Sequence, residues 1–286
     1  MLNRVAIFSK DSTEKTRNGV SKLIGELKSR NVEICMHKSG GIYPGVIYFH
    51  DLSELLQLPD LIFSVGGDGT FLETTIKVKD FGIPIAGVNT GRMGFLANIY
   101  ADEIGISIDM INRGEYLIIE RNLLKLNKPE GLFEENNSYA LNEVTIQKSD
   151  LSMITINVYV NEVYLNTYWS DGLIISTATG STAYNLSAGG PILTPDDESI
   201  IISPIAPHNM TIRPIIVPGN SKLRMIVEGR SSEFLVTVDY RSRKIPYSES
   251  ILVGSAGEKI RTIMMNNRDF YSTLRNKLMW GADRRN

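Results

Sequence analysis

The sequence predicts an α/β N-terminal domain on an open, mainly parallel sheet, followed by a mainly-β C-terminal domain of packed sheets. Three observations carry this. In the first third, short apolar runs alternate with amphipathic helical stretches. The run at 61–65 has almost no polar residue, as a strand covered by helices on both faces must be. Past about residue 115 the apolar period drops to two.

Residues 4–9 (Val5, Ile7, Phe8) read as the first strand. Over 14–30, Val20, Leu23, Ile24 and Leu27 fall at i, i+3, i+4 and i+7, one helical stripe. Strands at 32–36, 61–65 and 84–88 complete the alternation, which implies an open α/β domain with ligands at the carboxyl ends of its strands. In the second half, Ile154, Ile156, Val158 and Val160 alternate with Thr155, Asn157 and Tyr159. Similar patches lie at 117–126, 140–146, 223–227 and 234–238, separated by turn-rich breaks at 129–131 and 218–220. A helix near 268–277 is expected to return to the first domain. The expected division is 1–115 with 262–286 for the α/β part, and 116–261 for the β-rich part.

Of 286 residues, 30 are basic and 32 acidic, a balance that gives no general attraction to nucleic acid or to a membrane surface. The apolar start at 1–9 is too short for a signal peptide, and nowhere do 18 apolar residues run together. The expectation is a cytoplasmic protein. The one cysteine, Cys35, sits in an apolar stretch and reads as a buried free thiol. His37, His50 and His208 are far apart in sequence, so no zinc spacing and no protein-supplied metal cage is indicated.

Four stretches carry chemistry. The first is Gly66-Gly67-Asp68-Gly69-Thr70, directly after the apolar strand at 61–65. Glycines there let the backbone turn and expose N–H groups, and with a helix starting near Thr70 they form a concave site for phosphate oxygens, involving Gly67 and Thr70. A carboxylate in such a cradle would repel phosphate, so Asp68 makes better sense as a general base or as an orienting group for a hydroxyl. The alternative is a tight turn in which Asp68 caps the helix. Neither the Walker phosphate loop nor the third glycine of the dinucleotide fingerprint is present.

The second stretch runs from Thr177 to Pro191, after Asp171-Gly172 and an apolar run. Its hydroxyl residues around Gly180 offer donors at a helix start, and Tyr184 offers a flat face for a base or amide; an ordinary capped loop is the alternative. The third is Asn142-Glu143 within the strand at 140–146. An adjacent amide and carboxylate suit the two hydroxyls of a ribose, unless this is a half-exposed edge strand. The fourth is Gly87 to Leu96, past another apolar strand, where Arg92 could neutralise phosphate or be an idle surface arginine. A Pro-rich loop over 203–208 and 213–214 could wall a pocket.

Together these stretches resemble the NAD kinase family over nearly the whole chain and in the family's order. The glycine-aspartate-glycine element alone is shared, in variant forms, with diacylglycerol, sphingosine and phosphofructokinases. The resemblance implies an active site between an α/β and a β domain, with Asp68 as catalytic base and Gly69 beside the nucleotide. It implies that Asn142 and Glu143 hold ribose hydroxyls or adenine, that Asp171 contacts the nicotinamide side, and that Ala206 adds a backbone contact. Thr182, Ala183, Tyr184, Asn185, Leu186 and Ser187 would line the NAD pocket. The implied partners are NAD and ATP, or another phosphoryl donor, with Mg2+ carried by the nucleotide. The implied assembly is a homo-oligomer, often a tetramer. One departure stands out: Asp239-Tyr240-Arg241 occupies the place of the family's Asp-Gly-Gln, so a glutamine contact to ligand is in doubt at Arg241. Two rival readings remain, a lipid or sugar kinase of the same superfamily and a non-catalytic dinucleotide sensor. A pure binder gains little from the Asp68 carboxylate near phosphate.

Overall fold

A computed structural model describes residues 1–10, 13–91, 94–134 and 137–279. The chain divides into two compact units, Met1–Glu120 with Ile260–Asn286, and Arg121–Lys259. The first contains β1 (Arg4–Ser9), α1 (Glu14–Lys28), β2 (Glu33–His37), β3 (Ile47–Phe49), β4 (Leu61–Gly66), α2 (Asp68–Val78), β5 (Ile85–Asn89), β6 (Ile99–Tyr100) and α3 (Ile104–Asn112). After β7 (Tyr116–Lys128) come β8 (Tyr139–Ala140), β9 (Glu143–Lys148), β10 (Ile154–Val160), β11 (Val163–Ser170), β12 (Gly172–Ser176) and α4 (Tyr184–Ser187). These are followed by β13 (Ile200–Ile205), β14 (Ile215–Val217), β15 (Leu223–Glu228), β16 (Glu233–Val238) and β17 (Arg241–Pro246). The last strand, β18 (Ser250–Met265), leads back to the first unit, which ends in α5 (Phe270–Leu278).

In the first unit β3-β2-β1-β4-β5 form a parallel sheet in that order. β6 and, at Thr262, β18 pair with β5, also in parallel. The order reverses between β1 and β4, the switch point at which open α/β sheets bind ligands outside the carboxyl ends of their strands. The turn after β4 lies there. α1 starts at Thr13, whose side chain accepts the Thr16 N–H, and buries Val20, Leu23, Ile24 and Leu27. Those side chains share one core with Ile104, Ile108 and Ile111 of α3 and with β1, β2, β4 and β5. Each such burial is worth roughly 1.5–3 kcal/mol, and together they fix the sheet under the turn.

In the second unit, among the described residues, the strands from β8 to β17 pair antiparallel with their neighbours. One sheet runs β14-β13-β12-β9-β16-β17, and β11-β10-β15 continues through Leu223–Ile226 onto the start of β18. The period-two residues Ile154, Ile156 and Val158 meet Val144, Ile146, Leu173, Ile175, Phe234 and Val236 in a single core. Both faces of β12 are buried, and α4 packs against the strand.

The reading of 140–146 as one strand needs correction. Pairing stops after Ala140 and resumes at Glu143, so Asn142 lies in a break rather than in a strand. The cause is Asp239, whose carboxylate accepts the N–H groups of Leu141, Asn142 and Glu143 at 3.0, 2.9 and 3.2 Å in place of a neighbouring strand. Similarly, the first residues of the expected Pro-rich loop, Ser203 to Ile205, are the end of β13.

Candidate active site

In the first unit Asp68 is the first residue of α2, with Gly67 at the N-cap position and no side-chain cap bond there. The carboxylate therefore does not cap its own helix. It reaches the loop after β5 instead. Its Oδ2 accepts the Phe95 N–H at 2.9 Å, and its Oδ1 accepts those of Leu96 and Ala97 at 3.2 Å each. This contact requires glycine at 94, because a Cβ there would sit 1.7 Å from Asp68 Oδ1. A carboxylate offers about four acceptor directions. Two amides occupy Oδ1, whereas Oδ2 carries one, so Oδ2 is the oxygen with an acceptor direction left for a ligand proton.

Gly67 and Gly69 are exposed and Thr70 half-buried, which leaves the first amides of α2 beside the carboxylate facing outward. A Thr90 N–H to Gly66 carbonyl bond of 3.2 Å ties the two glycine loops together. Lys277 of α5 brings an ammonium to 3.9 Å from Asp68 Oδ2. Arg92 lies outside the described residues.

In the second unit the Thr177 segment folds over the break at Asn142. The Thr177 N–H and hydroxyl donate to the carbonyls of Asn142 and Leu141 at 2.9 and 2.6 Å. Gly180 presses against the same peptide, and a Cβ there would lie 2.2 Å from the Asn142 carbonyl oxygen. Glu143 pairs with Ser176 at one end of the β9–β12 ladder, and Gly172 with Gln147 at the other. These ends are four residue steps apart along the strand, about 13 Å.

Tyr184 bridges them. Its backbone N–H lies near enough to the Glu143 carboxyl to favour the charged form, and its phenol oxygen accepts from Gln147 Nε2 at 3.1 Å, with the ring partly exposed. Thr182, Ala183 and Leu186 are half-buried around it and Ser187 is exposed. At the far end Asp171 pairs with Lys148 at 2.6 Å. Ala206, exposed directly after β13, holds φ at 44°. That left-handed backbone is uncommon for alanine and is a mark of functional segments.

Asn185 differs from its neighbours. It is fully buried; its amide nitrogen donates to the carbonyls of Ser181 and Pro191 at 3.1 and 2.9 Å, and its oxygen accepts from the Ser203 hydroxyl at 2.6 Å. These bonds fasten the 177–191 segment to β13.

This arrangement can be compared with known proteins. The family pattern described as the ATP-NAD kinase N-terminal domain matches residues 51–116, and that of the ATP-NAD kinase C-terminal domain matches 141–265. An NAD kinase of Flavobacterium psychrophilum is 38% identical over 99% of this chain and 100% of its own. The chain belongs to the NAD kinase family. Among solved structures, yeast NADH kinase complexed with NADH superposes with a TM-score of 0.82 at 23% identity, covering 99% of this chain and 89% of that one. An NAD kinase from Archaeoglobus fulgidus in complex with ATP gives 0.75 at 25% identity, covering 97% and 98%.

Within this NAD kinase family member, Asp239-Tyr240 is the turn between β16 and β17, and Arg241 opens β17. Arg241 faces the protein: its guanidinium donates to the carbonyls of Tyr139 at 2.6 Å and Val238 at 3.1 Å, and lies 3.6 Å from Asp239. The positioning role of Asp239 is not legible in the sequence because its partners lie nearly a hundred residues upstream. Its positive φ of 52° in a two-residue turn is the signal that sequence cannot display.

The neighbourhood sets the charge of Glu143. Burial and the adjacent Asp239 carboxylate push it up to about 8, against the pull of the Tyr184 N–H. Burial also raises Asp239, opposed by its three amides and Arg241. With more donors around Asp239, the negative charge stays there and the proton sits on Glu143. Its Oε2 is buried without a hydrogen-bond partner in the protein. A neutral acid of this kind can both donate to and accept from a sugar hydroxyl.

Proposed function

We propose that the protein transfers the terminal phosphoryl group of ATP to the 2′-hydroxyl of the adenosine ribose of NAD, giving NADP. The observation that carries this reading is the Asp68 carboxylate, clamped by three backbone amides with one acceptor direction left at Oδ2 beside the outward-facing start of α2. The ribose oxygen attacks the terminal phosphorus, the new O–P bond forms, the bond to the β-phosphate oxygen breaks, and the hydroxyl proton passes to Oδ2. A carboxylate is a weak base toward a sugar hydroxyl, so the proton moves late and in concert with attack. Such assistance is worth ~10²–10⁴ in rate, about 3–5 kcal/mol. The remainder comes from positioning and from electrostatic stabilisation of the transferred group.

The backbone amides at Gly67, Gly69 and Thr70, with Arg92, take phosphate oxygens. Asn142 and neutral Glu143 hold the ribose or adenine, and Tyr184 stacks along the dinucleotide, flanked by Thr182, Ala183, Leu186 and Ser187. Asp171 and the Ala206 backbone meet the nicotinamide end. Among the described residues no three His, Cys, Asp or Glu side chains converge on a metal position. In this reading Mg2+ arrives with the nucleotide, and no protein step is assigned through it. The reading includes a homo-oligomeric, cytoplasmic enzyme; among the described residues no helix is long and apolar enough to cross a membrane.

Incubating the purified protein with NAD, ATP and Mg2+ tests this. NADP is the expected product. Phosphate transfer to diacylglycerol or fructose 6-phosphate with none to NAD would overturn the assignment.

A further inference from the structure

We propose that Lys277 is a further catalytic residue, its ammonium contacting the phosphoryl group as that group passes to the hydroxyl held at Asp68. The inference rests on the reading of Asp68 as the base. It begins with how α5 is held. Asp269 and Ser272 form a reciprocal cap at its start, Leu274 is buried, and Phe270 packs 6.4 Å from Phe95. The helix thus returns Lys277 to the same loop whose amides clamp Asp68. There Nζ lies over the Phe95 ring, 4.2 Å from its centre, and 3.9 Å from Asp68 Oδ2.

Two features separate this lysine from an ordinary counter-ion. A charge-assisted hydrogen bond between an ammonium and a carboxylate runs about 2.7–2.9 Å; this pair, at 3.9 Å, is an ion pair without that bond. Among the described residues no other carboxylate lies within 4 Å of its ammonium. Partial burial of the side chain lowers its proton affinity and Asp68 opposes that only in part, while the residue stays exposed, open to an incoming anionic ligand.

The position is also the right one. An oxygen hydrogen-bonded to Oδ2 sits about 2.7 Å from it, and the phosphorus it attacks is one bond-forming distance further. The phosphoryl oxygens then fall within reach of an ammonium already 3.9 Å from the same Oδ2. The cation offsets the repulsion between Asp68 and the incoming phosphate, and its attraction grows as charge develops on the transferred group.

Steady-state kinetics of K277M, K277R and D68N, with pH profiles of kcat, test this. K277M is expected to lose about 10²-fold in kcat while its KM for NAD stays within about twofold. In an E143Q background, which removes the titration of Glu143 near 8, the profile with Lys277 in place should fall on the alkaline side as the ammonium deprotonates. In K277R that limb should move upward, because a guanidinium does not lose its proton there. A K277M enzyme within about threefold of wild-type kcat, or an alkaline limb unmoved in K277R, overturns the proposal. Should K277M fail to fold, the K277R profile decides alone. Activity retained in D68N sinks the reading of Asp68, whereas active K277M beside inactive D68N sinks only the role of Lys277.

Discussion

Glu143→Gln offers a direct probe of the charge state that the second unit imposes on its binding edge. In the folded protein burial and Asp239 raise this carboxyl from 4.5 to about 8, so the folded state holds its proton more tightly than the unfolded chain does. The associated stability is fully present below about 4.5 and is lost as pH rises through about 8. Between pH 6 and pH 9 the wild type crosses the two units from 6 to 8, at about 1.4 kcal/mol each, or roughly 3 kcal/mol. Glutamine has the same shape and no proton to lose, so that component disappears in the variant. At about 2–4 °C per kcal/mol for a unit of this size, the wild type should drop roughly 6–12 °C further than the variant over that range. Thermal unfolding of both ligand-free proteins at pH 6 and pH 9, followed by circular dichroism, measures it; losses from other groups cancel in the difference. Equal declines in the two proteins would refute a neutral Glu143.

The first unit gives two further expectations. Asp68→Asn should lower turnover by at least ~10², and because an amide has one acceptor oxygen for three N–H donors it should also cost about 1–3 kcal/mol in urea unfolding. Gly94→Ala places a methyl where the carboxylate now sits, 1.7 Å from Oδ1; NADP formation should fall by more than ~10-fold while calorimetric NAD binding persists. In the second unit Tyr184→Ala removes the stacking face and should weaken NAD binding about tenfold, in line with ~1–3 kcal/mol per stacked base; unchanged binding would remove Tyr184 from the pocket.

Much of the fold is legible in the sequence because it is written in local periodicity. The stripe Val20, Leu23, Ile24, Leu27 gives α1, and the alternation from Ile154 to Val160 gives β10. Helix α3 is harder to see. Its isoleucines at 104, 106 and 108 also alternate as a strand would, and only the burial of Ile104, Ile108 and Ile111, with Ile106 exposed, decides for a helix. At the site, the glycine turn after β4 is visible because glycines flanking a carboxylate at a strand end have few other uses. What holds that carboxylate is not visible: the amides of Phe95 to Ala97 are backbone groups with no side-chain signature, and Lys277 comes from the other end of the chain. The break at Asn142 is hidden in the sequence for the same reason, since Asp239 lies 97 residues away. Asn185 is a polar residue in a polar motif whose side chain fastens the segment internally.

The most direct measurement is a structure of the protein with NAD bound, read at a single distance. The account predicts the adenosine 2′-oxygen within about 3 Å of Asp68 Oδ2, with the three amide bonds to that carboxylate intact. A bound dinucleotide whose 2′-oxygen faces another residue, with Asp68 still closed on its loop, would contradict it.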